Sequence, residues 1–378
     1  MFLSGTWGHQ ASGISDSNIL ELDREALACT GINPAGRCRT MGLVAAYGLQ
    51  GTPRSRLVRE TIKAWFDVIK VGGPKLIKQI RAAWLEALKH IYSNPKQGNV
   101  VGLMTNLILI LIKAKWIPST YSAWRSPDGD TWSMTGSLVS PDIVASQVNK
   151  DLFIPDFARA EGHYNGKGIA KGIHADATLS VLRNFKHTSL YGDKCLLETI
   201  LAASTWPAER IHEAYPEVPS LCPRCGAEHE TALHCFWTCP ANNNYEHEDI
   251  VQSQKLVQRA VDQTEYRASL WPRGILPTGL IYIPPDEEPV TDIHSAIKYH
   301  VDDNFANSPN PKSNLYGADH FSITSVTYYG DASGGKYTKY PDIRRVGCAF
   351  AQINSLGKLI WAAYFPLPGP VQTVTRGE

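Results

Sequence analysis

Apolar residues recur at helical spacing from Asn18 to Ala28 and again from Arg54 to Tyr92. In the second stretch Leu57, Val58, Trp65 and Ile69 share one face, and Leu76, Ile80, Trp84, Leu88 and Ile91 share the next. This periodicity predicts amphipathic helices, and Gly72-Gly73-Pro74 separates two of them. The longest apolar tract, Val100 to Ile112, is thirteen residues long and interrupted by Thr105 and Asn106. It falls short of the roughly 20 residues that cross a bilayer, so it predicts a buried helix and no membrane partner. Trp124-Arg-Ser-Pro-Asp-Gly-Asp-Thr-Trp132 then places two aromatic arms around Asp128-Gly129, a hairpin signal. Further helices are expected over Pro141–Asn149, Ala175–Phe185, Lys194–Ala203 and about His247–Gln263, with a polar Asn242-Asn-Asn244 turn before the last. Pro284 to His320 is rich in Pro, Asn, Asp and Ser and has little apolar periodicity, so it predicts a linker. From Ser322 the period changes. Ser322–Tyr329, Val346–Ile353 and Leu359–Phe365 read as strands, the last two joined by the loop Asn354-Ser-Leu-Gly357-Lys358 and apolar enough to be covered on both faces. Thirteen residues follow Phe365, too few to cover them, and no internal repeat is present.

At 378 residues the chain has room for two or three domains, and 43% hydrophobic with 19% charged residues describes a soluble globular protein with some irregular linker. The net charge of +1 gives no whole-chain field for nucleic acid or membrane, so any basic surface is local. One such region runs from Arg54 to Lys89, with nine Lys or Arg against three acids. It predicts a basic amphipathic pair that either meets phosphate backbones or is simply a solvated face. The start of the chain lacks a basic segment followed by an apolar one, which predicts no targeting peptide. Half of the eight cysteines fall within residues 222–239, which favours metal over disulfides and an intracellular chain, nuclear or cytoplasmic. Nothing in the pattern fixes an oligomeric state.

Cys222 and Cys225, two residues apart, can clasp one metal from a tight turn while Gly226 relieves the backbone. His234 and Cys239 complete a Cys₃His set, the donor set of a structural Zn²⁺ site with no open position. His229 and Cys235 are alternatives, but His229 leaves only three residues after Cys225 and Cys235 adjoins His234. Leu233, Phe236 and Trp237 are expected to supply an apolar cover. Further on, Asp331 stands where Val326-Thr-Tyr-Tyr329 runs into Ala-Ser-Gly-Gly335, predicting a carboxylate at a strand end beside a turn. The backbone and hydroxyl of Ser333 and Gly334 suit a phosphate or sugar. No Gly-rich loop ends in the Lys of a phosphate-binding motif, and no nucleophile elbow is present. His300-Val-Asp302-Asp303 leads into Asn- and Pro-rich sequence and reads as linker, not as a polymerase hairpin.

The CxxCG start, Glu230-Thr231 ahead of His234 and the closing Cys239-Pro240 resemble the zinc-binding segment after the polymerase in non-LTR (LINE-type) retrotransposon proteins. Trp7-Gly-His-Gln-Ala-Ser-Gly13 and the Gly129/Trp132 hairpin are similar to the region between palm and zinc segment in some of these elements. The Asp331 strand, the hairpin after it and Gln372–Glu378 look like the first half of a type 1 ribonuclease H domain. The resemblance implies a multidomain chain. Its parts are an α-rich post-polymerase region over 1–215, a zinc-binding segment over 216–245, a helical extension over 246–283 and a linker over 284–320. Over 321–378 it implies an α/β ribonuclease H-like domain with a mixed sheet, cut after its first three strands. It also implies Mg²⁺ on four carboxylates, Asp331 matching the first and Glu378 the second, and hydrolysis of RNA in RNA/DNA hybrids. Two carboxylates do not hold two metals, so the chain by itself is expected to be inactive, with Met1 lying inside a longer ancestral frame. A non-catalytic, zinc-dependent protein binding RNA template or target DNA, or an expressed relic, is the alternative.

Overall fold

A computed structural model of the chain describes residues 6–134, 139–185, 191–278, 298–300, 327–334, 338–339, 344, 346–353 and 359–367. The chain divides into two compact units, residues 1–280 and 281–378.

The first unit is mostly helical. Thr52 caps Pro53–Val71 by accepting a hydrogen bond from the Ser55 backbone N–H, and Pro53 fills the first helical position, where a missing N–H costs nothing. Gly72 ends this helix, and Pro74–Ser93 begins on Pro74. The two predicted faces meet where Trp65 and Trp84 lie 5.5 Å apart between ring centroids. Both indole N–H groups donate to backbone carbonyls beyond the helices, Trp65 to Tyr121 at 2.8 Å and Trp84 to Pro118 at 3.2 Å. Those carbonyls flank or belong to a small antiparallel sheet of β1 (Ile117–Thr120), β2 (Ala123–Arg125) and β3 (Thr131–Ser133), in the order β1-β2-β3. Trp124 faces Trp132 across β2 and β3, and both are buried. The apolar tract forms the buried helix Leu103–Lys113.

Three helical expectations need revision. The helix expected over Pro141–Asn149 runs from Pro141 to Ala160, straight through Pro155. Phe153, Phe157 and Ala160 are buried in a core with Met41, Val44 and Ile275, and that burial offsets the bond the proline removes. Ala175–Phe185 divides into Ala175–Thr178 and Ser180–Asn184, and the stretch near His247–Gln263 divides into Glu248–Ser253 and Val257–Arg267 around a short tight turn.

In the second unit β4 (Lys298–His300), β5 (Thr327–Ser333), β6 (Gly347–Ile353) and β7 (Leu359–Pro366) form an antiparallel sheet in the order β4-β7-β6-β5. Of the segment 284–320 expected as linker, the described residues Lys298–His300 form β4. Lys298, Tyr299 and His300 pair with Ala363, Ala362 and Trp361, so this part of the polar segment satisfies backbone groups along one edge of β7. Ala332, Val346, Cys348 and Leu367 make a small buried cluster in this unit. The expected loop 354–358 and the segment 372–378 lie outside the described residues.

Candidate metal centre

The Cys222–Gly226 turn is a tight knuckle. The Gly226 N–H donates to the Cys222 carbonyl at 2.8 Å, and Gly226 adopts φ 68°, the left-handed region that glycine enters without a Cβ penalty. Leu221 and His229 form an isolated antiparallel bridge, with the Cys222 N–H donating to Glu228 and the Glu230 N–H to Ser220. This short ladder holds the knuckle upright. The other two ligands sit at either end of a wide single turn, His234–Thr238, which the Cys239 N–H closes onto the His234 carbonyl at 2.9 Å. Thr231 starts that turn by accepting from the His234 N–H at 2.8 Å. Glu230 accepts from the Ala208 N–H at 2.8 Å and so ties the Ala208–Ala214 helix to the same segment.

The sequence-predicted ligands converge. One donor atom from each of Cys222, Cys225, His234 and Cys239 lies within 4.8 Å of all the others. The Cys222 and Cys239 sulfurs are 3.9 Å apart, and the Cys225 sulfur is 3.4 Å from His234 Nε2. Metal–sulfur bonds of about 2.3 Å and metal–nitrogen bonds of about 2.0 Å at tetrahedral angles require edges of about 3.8 and 3.5 Å, so the set fits a tetrahedral ion such as Zn²⁺. Cys222, His234 and Cys239 are buried and Cys225 is half-buried. His229 is turned to Ser220, its Nδ1 at 2.6 Å from the hydroxyl, and neither it nor Cys235 belongs to the cluster.

The surroundings prepare the thiols for a cation. Burial opposes ionisation of Cys222, yet the backbone N–H groups of Cys225 and Arg224, with the neighbouring His234 and Cys239, outweigh it and hold the thiol below its ordinary range. The N–H groups of Ala227 and Glu228 lower Cys225. Cys239 and Cys235 are pushed up, first of all by burial. The knuckle thiols therefore ionise more readily than Cys239. His234 turns Nε2 to the cluster while Nδ1 meets Glu228 Oε2 at 2.9 Å, the carboxylate–imidazole arrangement that fixes ring orientation and tautomer at metal sites. With four protein donors, an ion held here would have no open position for a substrate, as in structural sites.

Several supporting residues were not visible as such in the sequence. Glu228 is one. Arg224 is another, donating to the Cys235 carbonyl at 2.5 Å and to Asn242 Oδ1 at 2.8 Å. The expected apolar cover is only partly realised, because Phe236 is 40% exposed. Trp237 turns inward instead, packing edge-on against Trp271 at 5.2 Å and donating to the Trp271 carbonyl at 2.7 Å. A partner more than thirty residues ahead leaves no local sequence signal.

The acidic candidates are placed differently from expectation. Asp331 lies inside β5, paired with Ala349, and is not at the strand end, since β5 continues to Ser333 opposite Gly347. Pairing with β6 satisfies the backbone through Ala332 and Ser333 and extends the strand into the predicted turn. Asp331 is exposed, and its Oδ1 accepts from the Ala332 N–H at 2.8 Å. Ser333 is exposed, whereas Gly334 is buried so closely that an added Cβ would lie 2.0 Å from Thr338 Oγ1. Glu378 lies outside the described residues.

A separate cavity of about 320 Å³ opens among the 53–71, 103–113 and 141–160 helices. Its polar walls are already committed, Arg54 to Asp156, Lys113 to Asp16 and Asn106 to the His9 and Gln10 carbonyls. No protein-family model, curated protein or solved structure matches this chain, so the metal centre is defined by its own geometry.

Proposed function

We propose that the chain is a nucleic-acid-binding protein of LINE-type retroelement origin. Its Cys₃His centre is a structural zinc site, and its strand unit corresponds to the amino-terminal part of a ribonuclease H domain. The observation that carries this reading is the convergence of Cys222, Cys225, His234 and Cys239 in the order of the retroelement zinc segment. The exposed Asp331 on a strand followed by two antiparallel partners supports the second part.

In this reading Asp331 and Glu378 are ligands for Mg²⁺, which when bound supplies an activated water and stabilises the leaving oxygen of an RNA phosphodiester. Two carboxylates are too few for two hard ions that prefer about six oxygens each, so cleavage requires further carboxylates and binding does not. The test uses the purified zinc-loaded chain and an end-labelled RNA/DNA hybrid in Mg²⁺, with Asp331→Asn and an RNA-only substrate as controls. Both forms are expected to bind the hybrid, with affinity falling steeply as salt rises, and neither to cut it. Hybrid-specific cutting lost in Asp331→Asn would overturn the carboxylate argument and make the chain an enzyme. Absent or salt-insensitive binding would remove the reading.

A further inference from the structure

Of the nine Lys and Arg between residues 54 and 89, five stand on Pro53–Val71 and four on Pro74–Ser93, and the two helices hold their cations differently. On Pro53–Val71, Arg54 is held by Asp156 at 2.5 Å, and Arg59 and Lys63 share Asp142 at 2.6 and 3.2 Å. These three cations are engaged by carboxylates within the first unit, two of them by the single Asp142. Pro74–Ser93 differs. Its one acid is Glu86, and the Glu86–Lys89 pair is exposed on both sides, a geometry worth little.

At about 100° per residue, Lys75, Lys78, Arg81, Leu85, Lys89 and Tyr92 fall within one stripe about 120° wide. Ile80, Trp84 and Ile91 occupy the other side of the helix and are the buried ones. Leu85 is 61% exposed and Tyr92 52%, so the stripe alternates cations with uncovered apolar and aromatic groups. Arg81 is fixed in place, its guanidinium over the Tyr121 ring at 5.4 Å and hydrogen-bonded to the Tyr121 hydroxyl. The first turn contains no acid, and Lys75 and Lys78 stand near the end where cations oppose the helix macrodipole. Helix stability does not account for that pattern.

We infer that the outer stripe of Pro74–Ser93 is a phosphate-backbone contact surface for a nucleic acid duplex. From Lys75 to Lys89 the row is about 21 Å long, the reach of about six phosphates along one strand. The Leu85 side chain lies against the sugar edge between the Arg81 and Lys89 contacts, and Tyr92 does so just beyond Lys89. This deepens the nucleic-acid-binding reading above and rests on it.

The experiment measures binding of a short RNA/DNA hybrid by fluorescence anisotropy across a salt series. It compares the full zinc-loaded chain, the combined variant Lys75→Gln, Lys78→Gln and Lys89→Gln, and the control Arg59→Gln with Lys63→Gln. Each lost phosphate contact removes about 0.9 from the log–log salt slope, so the triple variant is expected to lose about 2 to 3 and bind at least about tenfold more weakly. The control is expected to lose no more than about 1, because Asp142 offsets one of its two charges. Unchanged helical circular dichroism guards against unfolding. Hybrid binding that persists with the same slope in the triple variant would overturn this inference alone. A control that weakens as much would reduce it to net charge and overturn it too. No hybrid binding by the unaltered chain would overturn both this and the function above. Loss of binding to phosphatidylserine vesicles with hybrid binding intact would assign the stripe to a lipid surface instead.

Discussion

Glu228 acts on the metal centre without belonging to the ligand set. Its carboxylate meets His234 Nδ1 at 2.9 Å, so Nε2 remains the ligating nitrogen and the ring cannot swing away from Cys225. Outer partners of this kind change metal affinity by about 10- to 100-fold. Glu228 is 62% exposed in its side chain, which places the effect near the lower end. Glu228→Gln is therefore expected to weaken Zn²⁺ about tenfold in competition with a chelating dye, while Cys225→Ser abolishes tight binding. Equal affinity in Glu228→Gln would remove the carboxylate from the centre. The four ligands were legible because all fall within eighteen residues and their spacing alone specifies a tetrahedral clasp. Glu228 was not, because an exposed Glu in an acidic run looks the same whether or not it faces a histidine. The place of Asp331 inside a strand was not legible, since the following Ala-Ser-Gly-Gly reads as turn chemistry until β6 is seen to pair with Ala332 and Ser333.

At the scale of elements, periodicity and punctuation carried most of the information. Gly72-Gly73-Pro74 divides two helices where it stands in the sequence, and the tryptophans that define their faces are the ones that meet. Trp84 is 3% exposed, touches Trp65 and anchors its N–H on Pro118. Trp84→Ala empties that joint and leaves a carbonyl unpaired, so it is expected to cost about 3 to 5 kcal/mol in urea unfolding followed by circular dichroism. A loss below about 1 kcal/mol would show that the helix pair closes over the space. What the pattern missed were places where tertiary burial overrides a local breaker. Pro155 ends a helix by every local rule, yet Phe153 and Phe157 on either side are buried and the helix continues to Ala160. Lys298–His300 has no apolar alternation to announce a strand and is one because β7 has an edge to pair.

Across the whole molecule, the stretch through residue 280 forms one compact unit in which the metal segment is embedded. Trp237 donates to Trp271, Arg273 reaches the Leu201 carbonyl, and the His174 N–H donates to Leu276 at 2.8 Å. Cys38 donates to Ala202 at 2.7 Å and ties the amino-terminal helices to the same region. These links join residues up to 164 apart in sequence, from Cys38 to Ala202, which is why a reading by local composition divides the region into pieces. The helical unit and the strand unit were separable in sequence because the hydrophobic period itself changes between them.

The indole of Trp237 belongs to the turn that carries His234 and Cys239, and its N–H and its ring both end on Trp271. Metal occupancy is therefore expected to be readable as an optical signal. Stripping the ion releases the turn, exposes this indole to water and is expected to shift the tryptophan emission to longer wavelength. Trp237→Phe should erase most of that shift while the protein still binds and loses its ion. An undiminished shift in that variant would mean the ion is sensed elsewhere. Through the same pair, ion loss is expected to be felt in residues 267–278 as well as in the metal segment itself.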